Sequence, residues 1–125
     1  MTPTILLYSV PAETHRQIEQ LAQTIGFSCK KIARKRFLQS IGCHAGIPGF
    51  SQTGDWYEGK DLPFPMLVFS GFTSRELDRF LAACKEKNVT GLDYRAVVTE
   101  HNMHWNALEL FQELMQERES MQSYL

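Results

Sequence analysis

Residues 33–65 read ARKRFLQSIGCHAGIPGFSQTGDWYEGKDLPFP, and the path this stretch takes decides the fold. Before it lie an apolar run, TILLY at 4–8, and a helical pattern at 12–25. After it lie MLVF at 66–69 and a second helical pattern. Each side therefore reads as a strand–helix–strand unit. If residues 33–65 form a crossover containing a helix, strict alternation predicts a mostly parallel sheet with helices on both faces. If they return as an elaborated hairpin, the outcome is a ferredoxin-like α+β plait with an added C-terminal helix. Phe37, Leu38 and Ile41 can share one face of a short helix over 34–42. That pattern favours the crossover: an α/β chain, one domain over 1–125, with a four-stranded sheet and a long C-terminal helix.

Working outward, the first strand is apolar on both alternating faces, with Ile5 and Leu7 on one and Leu6 and Tyr8 on the other, so cover on both sides is expected. Ile18, Leu21, Ala22 and Ile25 recur at spacings of three and four, and Gly26 supplies a stop. A weaker strand at 27–32 carries Lys30 and Lys31, the mark of a solvated edge. Residues 42–65 hold five glycines, three prolines and the aromatics Phe50, Trp56, Tyr57 and Phe64. So long a loop is uncommon in a compact domain, and its aromatics favour wrapping over the fold rather than disorder. The strand at 66–69 follows Pro65, and Thr73 with Glu76 has capping-box spacing for a helix that buries Leu77, Phe80, Leu81 and Cys84. Leu7-Tyr8-Ser9 and the first helix match Val68-Phe69-Ser70 and this helix as a weak repeat. A fourth strand at 94–98 leads into the long C-terminal helix.

Composition bounds the function more than it names it. With 125 residues, 43% of them hydrophobic, the chain can build one core. A net charge of −1 gives no global field toward nucleic acid or an anionic membrane, and no apolar run nears the roughly 20 residues of a membrane span. Cys29, Cys43 and Cys84 show no C-x-x-C spacing, so neither a disulfide framework nor a zinc ribbon is expected, and a reduced cytoplasmic protein is the default. The glycines of 42–49 lack the G-K-[ST] of a phosphate loop. Lys30, Lys31, Arg34, Lys35 and Arg36 place five positive charges in seven residues. The stacking aromatics of an RNA-binding sheet are missing, so a solvated edge is the reading, or a strip that faces Glu109, Glu113 and Glu117 within or between molecules. No cofactor is expected.

One corner can hold chemistry. Projected as a continuous helix from about residue 99, His104 falls among Met103, Ala107, Leu108, Leu110, Phe111, Leu114 and Met115, and Trp105 points away. A histidine so placed must find a hydrogen-bond partner, and a satisfied structural role outweighs a ligand role. His101 and His104 are three apart and share a ligand only if the helix starts at Thr99. If Asn102 is the cap, the pair is lost. A metal would need further ligands, such as Glu100 or the Cys43–His44 pair. Cys43 and His44, adjacent in sequence, do not by themselves place thiol and imidazole face to face, so no catalytic residues are assigned. Trp105 either closes over the sheet end against Trp56 or Phe64 or contacts a partner.

The resemblance to a known family rests on Pro65-to-Leu81 (PMLVFSGFTSRELDRFL) and on residues 96–117. There Val98, Thr99, Asn102 and Trp105 fit a V-x-T-x-x-N-x-x-W pattern, and Glu113-Leu114-x-x-Glu117 fits its ending. The chain resembles a small bacterial family of unknown function (DUF3783-like). The resemblance implies no activity, cofactor or partner. The expected function is a non-catalytic protein-interaction module, acting on a protein partner or by self-association, with neither nucleic acid nor membrane. The alternative is a small-ligand or metal-binding domain using the turn at 99–105 and the loop at 42–49, with Cys43, His44, Thr99, His101, Asn102, His104 and Trp105 as binding residues.

Overall fold

The computed structural model describes residues 2–123. Four strands, β1 (Thr4–Tyr8), β2 (Ser28–Ile32), β3 (Met66–Ser70) and β4 (Tyr94–Val97), form one sheet in the order β2-β1-β3-β4. Four helices accompany them: α1 (Ala12–Ile25), α2 (Ile41–His44), α3 (Ser74–Glu86) and α4 (Ala107–Ser123). β1 pairs in parallel with β2, β3 in parallel with β4, and β1 antiparallel with β3, so two of the three pairings are parallel. The mostly parallel α/β sheet is therefore the fold, and the plait, whose neighbouring strands would all run antiparallel, is not. Each parallel pair is joined through its own helix, as a parallel connection requires. Residues 33–65 then carry the chain back so that β3 enters beside β1 in the opposite sense.

Both faces are covered. Ile5, Leu7, Leu67 and Phe69 pack with Ile18 and Leu21 of α1 and with Phe80 and Cys84 of α3. Leu6, Tyr8, Met66 and Val68 pack on the opposite side with Phe37, Ile41 and with Ala107, Leu110 and Phe111 of α4. Cys84 is a core residue, and burial pushes its thiol up to about 11.

The internal repeat is deeper than its sequence trace, but in a different register. Packing equates Leu7 with Phe69 and Ile18 with Phe80, because these pairs occupy the same face and the same helix turn. Ser9 (φ 54°) and Gly71 (φ 78°) take a left-handed conformation just after β1 and β3. Gly26 (φ 97°) and Asn88 (φ 56°) do so just after α1 and α3. The Phe27 amide donates to Ala22 at 3.2 Å, and the Val89 amide to Cys84 at 2.9 Å, closing the two helices alike.

Residues 33–65 hold less helix than the apolar spacing predicts. A 3₁₀ turn, Arg34–Arg36, and the four-residue α2 replace a continuous helix over 34–42. Phe37 and Ile41 are buried while Leu38 is 36% exposed. Ser40 caps α2, its Oγ accepting from the Cys43 amide at 3.0 Å. The remainder wraps over the body, as its aromatics suggest. Gln39, fully buried, accepts from the Thr53 amide at 2.6 Å and donates to the Thr53 and Asp55 carbonyls at 3.2 and 2.7 Å. The Tyr57 amide donates to the Lys35 carbonyl, Lys35 lies over the Trp56 ring, and Phe64 stacks on Tyr94.

The C-terminal helix starts later than expected. A 3₁₀ turn, Asn102–His104, is followed by Trp105 in extended conformation (φ −83°, ψ 156°), and only then does α4 begin. The break has a tertiary cause. The Trp105 carbonyl accepts from the Ile41 amide at 2.7 Å, Asn106 bridges to Ser40, and the Ala107 amide donates to the Phe37 carbonyl at 3.1 Å. Asn106 is the cap: its Oδ1 accepts from the Glu109 amide at 2.9 Å, and Glu109 Oε1 accepts from the Asn106 amide at 3.0 Å. Thr99 and Asn102, expected as caps of the long helix, close the preceding turn instead. Because helical phase does not run through Trp105, His104 is exposed rather than inward-facing. Among the described residues no helix is long and apolar enough to cross a membrane.

Candidate functional site

The seven residues singled out from sequence divide into two groups. His44 is buried at the Tyr8 end of β1. Its Nε2 donates to the Arg36 carbonyl at 2.9 Å, which leaves Nδ1 to accept from the Tyr8 hydroxyl at 2.8 Å, so the partners fix the tautomer. Its own carbonyl accepts from Lys30 Nζ at 2.9 Å. Burial first, and then the positive charges of Arg36 and Lys30, push the His44 imidazole down to about 4, although the bond to the Arg36 carbonyl works the other way. Burial raises the Tyr8 hydroxyl well above its ordinary range. His44 is thus neutral near neutral pH with both ring nitrogens engaged. Cys43, half-buried, gives its amide to the Ser40 cap, and its thiol is not paired with His44, whose ring is used elsewhere.

His104 and His101 diverge. His104 sits against the Phe50 ring at 5.1 Å, and His101 meets the edge of Trp105 at 4.8 Å. α2 does pack beside the 3₁₀ turn that carries His104, so the two candidate loops are neighbours through their backbones. Their polar side chains do not converge. Among the described residues no group of three or more His, Cys, Asp or Glu is placed to hold a metal ion.

Four of the seven, Thr99, His101, Asn102 and Trp105, line one open groove of about 560 Å³. Arg95 and Ala96 of β4 form one wall, and Leu110, Glu113, Leu114 and Glu117 of α4 form the other. The groove exists because α4 runs back along β4. Its first turn is tied to the end of β4 through the turn, and Arg118 reaches Asp93 at 3.8 Å and the Tyr94 ring at 5.6 Å. Its end at the turn is held by hydrogen bonds. The Thr99 amide donates to Asn102 Oδ1 at 2.8 Å, the Asn102 amide to Thr99 Oγ1 at 3.0 Å, and Asn102 Nδ2 to the Val97 carbonyl at 2.9 Å. Asn102 and Thr99 therefore spend their polar groups on the turn. Trp105 packs against the core on the α4 side, not on Trp56 or Phe64, and shares the groove with exposed His101.

Charge and backbone complete the picture. Glu113 and Glu117 have no hydrogen-bonded or ion-paired partner among the described residues, while Arg95 turns back to the Leu92 carbonyl at 2.8 Å. β4 is an edge strand, and its outer side carries no strand among the described residues. Sequence reasoning missed Arg95, Ala96, Leu110 and Leu114 as groove residues. The period-two run of β4 and the period-four acidic stripe each carried half of that signal.

Residues 65–121 match the model of a family described as Domain of unknown function (DUF3783), so this part of the chain is a DUF3783-like domain. The matched span contains every residue lining the groove, and the Tyr8–His44 network lies outside it. No curated protein and no solved structure matches the chain.

Proposed function

We propose that the chain is a non-catalytic protein-interaction module that captures an extended polypeptide segment along the free edge of β4. One observation carries this reading: an unpaired strand edge lies beside a groove whose other wall is a helix. An edge strand presents unpaired amides and carbonyls, and a peptide that adds as a further strand satisfies them while its side chains enter the adjoining groove. Trp105 and Leu114 supply apolar surface there, and tryptophan is a common anchor of such contacts. The two edges are not equivalent. β2 displays Lys30 and Lys31, a composition that discourages strand addition, and its Lys30 is held by the His44 carbonyl.

The test is a selection from a random-peptide display library on the immobilised protein, followed by amide hydrogen exchange on the complexes. Selected peptides are expected to slow exchange at residues 94–97 and to alter Trp105 fluorescence. Peptides that bind without changing either overturn the reading. A small-ligand reading has one point in its favour, the shared presence of His101 and Trp105 in the groove. A thermal upshift with a metabolite panel, lost in His101→Ala, would establish it instead.

A further inference from the structure

The groove's chemistry selects its partner, granted that it is a strand-addition site. α4 offers Glu113 and Glu117, one half-buried and one exposed, with no cationic partner among the described residues. Residues four apart on a helix stand about 6 Å apart along its axis. Residues two apart on a strand stand about 6.6 Å apart and point to the same side. A strand added to β4, parallel to the neighbouring helix wall, thus brings alternate side chains opposite Glu113 and Glu117 in turn. The intervening side chains fall on the other face of the sheet. There β4 shows Val97, 41% exposed, and the exposed Arg95, because Tyr94 and Ala96 are the residues turned toward α4. The helix wall reads a cation on every second residue, and the opposite face reads an apolar side chain beside Val97.

A second copy of the chain fits this poorly. Pairing β4 with β4 about a two-fold axis would set the two Glu113–Glu117 stripes on one face and bring two Arg95 edges together, and like charges across strands are destabilising. Pairing β4 with β2 of another copy would need Lys30, which is already bonded to the His44 carbonyl.

We propose that the β4–α4 groove docks a basic extended peptide, which adds to β4 with lysine or arginine at alternate positions facing Glu113 and Glu117 and apolar residues over Val97. The experiment measures calorimetric binding of three capped peptides to the full chain at low salt: Lys-Val-Lys-Val-Lys-Val, its glutamate counterpart, and the lysine peptide N-methylated at every backbone amide. The lysine peptide is expected to bind at least about tenfold more tightly than the acidic one, and Glu113→Gln with Glu117→Gln to erase most of that difference. N-methylation is expected to abolish binding. Equal binding of acidic and basic peptides, or no loss in the double glutamine variant, overturns the basic partner while the module reading stands. Undiminished binding of the N-methylated peptide overturns strand addition and with it the module reading, as does the failure of all three. Sedimentation equilibrium gives a separate check. A dimer dissociated by Val97→Lys would make a second copy the occupant and overturn the proposal.

Discussion

The corner at Tyr8 and His44 and the corner at His101 and Trp105 are built from the same kinds of residue and behave in opposite ways. In the first, aromatic and imidazole groups are buried, each polar atom has one assigned partner, and the fold consumes the chemistry. In the second, the side chains of Thr99 and Asn102 serve the backbone of the turn, which leaves His101 exposed and Trp105 half-buried at a groove. A polar residue type therefore says little about function until its hydrogen bonds are assigned. A side chain whose neighbours already satisfy the backbone is the one left over for a partner.

That contrast can be broken from the buried side first. His44→Ala removes a buried ring and strands both the Tyr8 hydroxyl and the Arg36 carbonyl. About 4 kcal/mol of stability should be lost in urea denaturation, and a loss below about 1 kcal/mol would erase the distinction. Acid titration comes next. Between pH 6.5 and about 4 the unfolded chain holds a proton on His44 that the folded chain does not. Stability should therefore fall as pH drops through that window, by roughly 3 kcal/mol from this group, and be full above pH 6.5. Comparing wild type with His44→Gln isolates the effect from the carboxylates, and identical slopes would remove His44 as its source. On the open side, Asn102→Ala deletes two side-chain hydrogen bonds of the turn and should cost about 2 kcal/mol by the same assay. His101→Ala should change stability by less than about 0.5 kcal/mol. A large loss there would show that the fold uses His101 as well.

The sheet was legible where one local pattern sufficed. β1 and β3 announce two-faced burial by five consecutive buried or near-buried positions, and α1 and α3 by apolar residues at three and four. What failed were places decided by distant partners. The helix projected from residue 99 ignores the pairing of Trp105 and Asn106 with residues 40 and 41, and that pairing breaks the phase which had turned His104 inward. Capping-box spacing at Asn106 and Glu109 was present in the sequence, as at Thr73 and Glu76, and would have placed the start of α4. Gln39 gave no local sign of its role because both carbonyls it serves lie in the wrapping loop. The groove was half legible: its turn residues stood out, while its walls needed the knowledge that α4 runs back along β4.

The ties that hold residues 33–65 also subdivide them as a polymer. Gln39 meets residues 53 and 55, Lys35 meets Tyr57, and Ser9 Oγ accepts from the Leu62 amide at 3.1 Å while donating to Asp61. The crossing is thus a series of short closures rather than one long one, and closure entropy rises only slowly with the length of each. Between Tyr57 and Leu62 an insertion has to break or stretch two anchors. There the left-handed Ser9 keeps a strained backbone that a glycine would relax, and its hydroxyl helps to secure the end of the crossing.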